Sequence, residues 1–120
     1  MRSLTVVLYA IFGASAVLAG LAVLASPSLV TDEAADSGLV AHLLREQAAG
    51  FVFIGLMFFW CMKHFEERRP VHFGFMVFTA LFAAIHWLGY VQGAGGLASP
   101  VVNTIPFALL AATAPRPRRA

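Results

Sequence analysis

Apolar residues run along this chain in four long blocks, separated by short polar, Gly- or Pro-containing breaks. The first block, Leu4 to Ala25, is 22 residues without a charge and ends at Ser26-Pro27. At 1.5 Å per residue a helix of that length reaches about 33 Å, enough for a hydrocarbon core of about 30 Å. The others run from about Gly38 to Met62, from Val71 to Val91 and from about Pro100 to Ala114. The pattern predicts an all-α fold: one integral-membrane domain, an antiparallel four-helix bundle with spans near 4–25, 38–62, 71–91 and 100–114 and a basic tail over 115–120. The link Lys63-His64-Phe65-Glu66-Glu67-Arg68-Arg69-Pro70 is short enough to make the second and third spans an antiparallel hairpin. Ser99-Pro100 reads as a helix start with Ser as N-cap, and Pro115 as the end of that helix. The small residues Leu24-Ala25-Ser26 are compatible with a secretory cleavage site. The uncharged run is nevertheless longer than a signal's apolar region and only Arg2 precedes it, so a retained signal anchor is expected.

Composition narrows the class. Hydrophobic residues make up 60% of the 120 and charged residues 12%, against about 45–50% and about 25% in soluble domains. Mean hydropathy is +0.82. A chain this short cannot hide such an excess in a core, so its apolar surface is expected to face lipid. The same numbers exclude a disordered chain, and the single Cys61 excludes a disulfide-stapled module. The eight Lys and Arg are too few and scattered for a nucleic-acid reader. The net charge of +2 therefore reports topology. With four spans, Arg2, Lys63, Arg68, Arg69, Arg116, Arg118 and Arg119 share one side, which the positive-inside rule makes cytoplasmic together with both termini. The opposite side carries Asp32, Glu33 and Asp36. The expected setting is a bacterial inner (cytoplasmic) membrane. The expected partners are the lipid bilayer and either other membrane-protein subunits or a second copy as a homo-oligomer, with no nucleic acid.

Small residues give the helices a basis for close approach: Ala10, Gly13, Ala14, Ala16 and Gly20 in the first span, Gly50 in the second, Ala80 and Ala84 in the third. Nine of the eleven Phe lie between Phe51 and Phe82, so the bulk sits in the second and third spans.

Depth arithmetic then separates one set of polar residues. From Ala48 to Met62 the second span offers 15 uncharged residues, about 22 Å, which leaves Arg45, Glu46 and Gln47 at the outer edge of the hydrocarbon. His86 stands 15 residues above Val71, at about the same height, with Tyr90 one turn beyond. The short fourth span brings Asn103 and Thr104 near that level, and the Gly-rich link Gln92 to Ser99 must dip toward it. Irregular backbone at membrane depth needs protein or a water-filled cavity to satisfy it. Arg45, Glu46, Gln47, His86, Tyr90, Asn103 and Thr104 are therefore the candidate ligand-binding layer, forming an outward pocket or a buried polar knot. Arg45 and Glu46 diverge by about 100° on a helix, so one is expected to turn toward His86 or Asn103 and the other toward headgroups.

Catalytic and metal signatures are missing. No Gly-x-Ser-x-Gly, His-Glu-x-x-His, Walker or dinucleotide pattern occurs, and no His, Cys and carboxylate set has zinc-ligand spacing. No catalytic residue, metal site or cofactor is predicted. His72 and His86, about 21 Å apart along one helix, match the spacing of two stacked haems. Of the second ligands needed, His64 could stand near His72, but His42 lies about a turn above His86. Glu46 with His86 is the one acid–base pair the layer offers. Conduction through one chain is disfavoured, because between that layer and the cytoplasmic ends of the second and third spans, where Trp60 and His72 stand, Thr79 is the only hydrogen-bonding side chain.

The stretch Leu44-Arg45-Glu46-Gln47-Ala48-Ala49-Gly50-Phe51-Val52-Phe53-Ile54-Gly55-Leu56 resembles one in small four-helix bacterial membrane proteins, an uncharacterised integral-membrane family and the broader DoxX-like group. In them an Arg or Glu opens the second helix and two glycines follow five residues apart, matched by Arg45, Gly50 and Gly55. Those families often carry an Arg in the third helix, where His86-Trp87 stands here. The resemblance implies a four-helix membrane fold and, from some DoxX-like members, a link to quinone-coupled sulfur oxidation. The leading expectation is a non-catalytic accessory or structural subunit, or a small-ligand-binding module. The alternatives are a membrane subunit of a quinone- or haem-linked oxidoreductase and an oligomeric small-solute transporter.

Overall fold

The computed structural model describes residues 2–63, 69–93 and 95–114. Its described elements are helical, with no strand among them. In chain order they are α1 (Arg2–Ala25), a 3-10 turn (Pro27–Leu29), α2 (Glu33–Asp36), α3 (Gly38–Met62), α4 (Arg69–Val91) and α5 (Ala98–Ala112). α1, α3 and α4 are each long and apolar enough to cross a membrane, whereas α5, at 15 residues, is shorter. The second predicted span coincides with α3, the first and third start two residues early, and the fourth is displaced to 98–112. The inner residues of the hairpin link, His64 to Arg68, fall outside the described residues, as do Pro115 and the tail arginines.

The chain divides into two compact units, Tyr9–Lys63 and a second that joins Met1–Leu8 to His64–Ala120. In the first, α1 and α3 run antiparallel: Tyr9 meets Phe58 with ring centroids 5.4 Å apart, Gly13 faces Gly55, and Gly20 faces Ala48. Missing side chains permit this approach. A Cβ on Gly55 would stand 2.6 Å from a Val17 methyl carbon and 2.7 Å from the Gly13 carbonyl oxygen, and one on Gly20 would stand 2.7 Å from that of Ala48. The contact expected of Gly50 belongs instead to Gly55: nothing lies within 4 Å of a Cβ placed on Gly50. Five residues turn a helix by about 140° once whole turns are removed, so the two glycines cannot share a face. Between these helices, Ser37 caps α3 by accepting the Val40 amide at 3.3 Å, and the acidic residues Asp32, Glu33 and Asp36 lie exposed around α2.

The second unit is built on α4 and α5, also antiparallel, with His72 against Leu110 at one end and His86 against Ser99 at the other. α4 buries His72, Phe75, Thr79 and Ala83, spaced by three or four residues so that they form one stripe. α4 ends at a turn in which the Gly93 amide donates to the Tyr90 carbonyl, and Gly93 takes φ +78, a region open to glycine without strain. α5 starts at Ala98, with Leu97 at the N-cap position and no side-chain cap. The expected Ser99 cap is absent: the helix begins one residue earlier, Ser99 lies inside its first turn, and its hydroxyl is paired with His86 at 3.0 Å. Pro106 lies inside α5 and has no amide to give to the Val102 carbonyl four residues earlier.

Candidate functional site

The predicted polar residues fall into two sets. Arg45, Glu46 and Gln47 belong to the unit of α1 and α3, and His86, Tyr90, Asn103 and Thr104 to the unit of α4 and α5. In the first set all three side chains lie on exposed positions of α3. Arg45 Nε donates to the Leu24 carbonyl at 3.4 Å, placing a cation on the last turn of α1, where the exposed carbonyls of a helix favour it. Glu46 takes a different partner, His42, at 3.3 Å one turn away on the same helix. Arg45 is thus met by the end of α1 and Glu46 by its own helix.

The second set surrounds a surface cavity of about 240 Å³, lined by Ile85, His86, Gly89, Tyr90, Gly95, Gly96, Ser99 and Pro100. The sequence builds it in three pieces. α4 gives Ile85, His86, Gly89 and Tyr90, spaced so that they fall within one face of its last turns. The turn at Gly93 reverses the chain, and Gly95 and Gly96 then pass the cavity without side chains, leaving backbone exposed to it. The start of α5 closes it with Ser99 and Pro100.

His86 is held from two directions. Its Nδ1 is 3.0 Å from the Ser99 hydroxyl, and the Phe82 ring packs edge-on at a centroid distance of 4.9 Å. With the hydroxyl donating to Nδ1, the remaining ring proton sits on Nε2 and makes that nitrogen a donor. Tyr90 packs edge-on against Trp87 at 6.1 Å, and Trp87 Nε1 donates to Thr104 Oγ1 at 3.0 Å. Asn103 and Thr104 are not part of the wall. Asn103 Nδ2 donates to the Ser99 carbonyl at 2.8 Å and Thr104 Oγ1 to the Pro100 carbonyl at 2.7 Å, so both brace the first turn of α5.

The cavity thus brings together His86 and Tyr90 of the predicted residues and adds Ser99, Gly95 and Gly96, which sequence reasoning assigned to a cap and a link. Their signal was the Gly-rich run beside a polar helix end. What it lacked was the rotation of α5 that points Ser99 at His86. A second polar contact was also missed: His72 Nε2 donates to the Leu110 carbonyl at 3.0 Å at the far end of the same helix pair, in a fully buried setting. Among the described residues no group of three or more His, Cys, Asp or Glu is placed to hold a metal ion. His64, the expected second haem ligand beside His72, lies outside the described residues.

No family model matches the chain, and no curated protein or solved structure matches it.

Proposed function

We propose that this chain is an integral-membrane protein of the bacterial inner membrane that binds a small molecule and does not itself turn it over, serving as an accessory or ligand-binding subunit. The cavity between the end of α4 and the start of α5 carries this reading, because it combines a positioned His, a Ser and a Tyr with glycine backbone in a hairpin without Asp, Glu, Lys or Arg beyond Arg69. Three helices of membrane-crossing length and apolarity support the location. The distribution of Lys and Arg supports cytoplasmic termini with the cavity at the outer face. The resemblance around Arg45, Gly50 and Gly55 to DoxX-like proteins agrees with a small four-helix membrane protein, and the exposed apolar faces agree with lipid or partner subunits around it.

The test is native mass spectrometry of the full chain released from a mild detergent. Wild type should retain a discrete small-molecule adduct that is lost from Gly96→Leu, which narrows the cavity. A Cβ on Gly96 meets nothing within 4 Å, so the fold should tolerate the change. Bare protein from both would sink the proposal.

A further inference from the structure

The chemistry of the cavity wall selects among small molecules, and the inference rests on the ligand-binding reading above. We infer that the cavity takes an uncharged ring compound bearing an oxygen acceptor, bound through His86, in preference to an anion or cation of the same size.

Three observations lead there. The first is charge. Between Arg69 and Ala114 the sequence contains no Asp, Glu, Lys or Arg other than Arg69 itself. That residue is 17 positions before His86 on a continuous helix, about 25 Å along its axis. The hairpin that builds the cavity therefore offers no counter-ion to a charged ligand, and an unpaired charge moved out of water into an apolar site is strongly disfavoured. The second is polarity of a particular sign. Nδ1 of His86 is engaged by Ser99, which leaves Nε2 as the free ring nitrogen, a donor in the tautomer where the Ser99 hydroxyl donates to Nδ1, and the start of α5 adds the partial positive charge of a helix N-terminus. Both match an acceptor oxygen, and the fraction of a charge at a helix end is too small to balance a full anion. The third is shape. Ile85, Pro100 and the Tyr90 ring give apolar walls, and a volume of about 240 Å³ is below the range of about 300–1,000 Å³ typical of drug-sized ligands. A single substituted ring fits that scale.

The test uses three probes of one shape: benzyl alcohol, benzoate and benzylammonium, titrated at pH 7.5 into full-length protein carrying Trp60→Phe, so that Trp87 beside Tyr90 is the reporter. Benzyl alcohol should give a saturable change in Trp87 emission, with benzoate and benzylammonium at least tenfold weaker. His86→Phe should weaken benzyl alcohol about three- to tenfold, the size of one neutral hydrogen bond. Gly96→Leu should abolish saturation. Tighter binding of either ion, or indifference of benzyl alcohol to His86→Phe, overturns the inference. Native mass spectrometry separates this from failure of the broader reading: an adduct that Gly96→Leu removes, together with a preference for an ion, leaves a ligand-binding cavity of different specificity.

Discussion

His72 Nε2 lies 3.0 Å from the carbonyl oxygen of Leu110, joining residues 38 positions apart, both fully removed from solvent. The last four carbonyls of a helix have no partner in the helix itself. In α5 that of Leu109 is met by the amide and hydroxyl of Thr113, and that of Ala111 by the Ala114 amide. The Leu110 carbonyl takes His72 together with a longer contact from the Thr113 hydroxyl at 3.3 Å. α4 thus supplies a cap to α5. His72→Phe, which keeps the bulk and removes the donor, is expected to cost about 1–3 kcal/mol. Adding Thr113→Val should cost more than the sum of the single changes, because both serve one oxygen. Unfolding titrated by SDS in mixed micelles would measure this, and a loss below about 0.5 kcal/mol for His72→Phe would remove the capping role.

Glycine substitutions in α1 and α3 should divide sharply. Gly55→Ala and Gly20→Ala place a methyl within 3 Å of backbone on the facing helix and should separate the pair, destabilising by about 1–3 kcal/mol as overpacking does. Gly50→Ala meets open space and should be neutral or stabilising by up to about 1 kcal/mol through helix propensity. Thermal unfolding followed by circular dichroism would order the three, and equal losses would contradict the packing.

The bond from Trp87 to Thr104 should be separable from bulk. Thr104→Val removes the acceptor for the indole and the donor to the Pro100 carbonyl, with an expected loss of about 0.5–1.5 kcal/mol for each bond. Thr104→Ser keeps the oxygen and should recover most of it. If Ser and Val behave alike in the same denaturation, the hydroxyl is not the stabilising group.

The proposed topology makes a labelling prediction. In a Cys61→Ala background, single cysteines replacing the exposed Ser28 and Gln92 should react with a membrane-impermeant maleimide on spheroplasts. A cysteine replacing Lys63 should react only after permeabilisation. The reverse pattern would invert the assignment, and uniform reaction without permeabilisation would remove the membrane crossing.

The helices were legible because long apolar runs, uncharged over twenty or more residues in the first and third spans, are a property of composition, independent of what each helix touches. Rotation was less accessible. The sequence placed the contact of the second span at Gly50 and marked Gly55 only through a family resemblance, and only the azimuth of α3 against Gly13 and Val17 shows that Gly55 is the one in contact. The candidate site divides similarly. His86 and Tyr90 were marked by height on α4 and both line the cavity, whereas Asn103 and Thr104, at a similar expected height, turn back onto their own helix. Ser99 was hidden by a reasonable local rule: a Ser before a Pro is a good N-cap, and a competing hydrogen bond from 13 residues away leaves no local trace. Arg45 and Glu46 were recognised as costly charges, but their partners, the Leu24 carbonyl and His42, depend on the meeting of α1 and α3 and on side-chain rotamers.

The two ends of α5 lean on α4: His72 holds its last turn, and Trp87 and His86 hold its first through Thr104 and Ser99. With 15 residues and a proline inside, α5 is too short to persist alone. It is therefore a conditional helix, completed on a template that the ribosome has already delivered. Because Ser99 and Pro100 close the cavity, it is completed only after all of α4 has been made. A product truncated after α4 would have the three described helices of membrane-crossing length and no cavity.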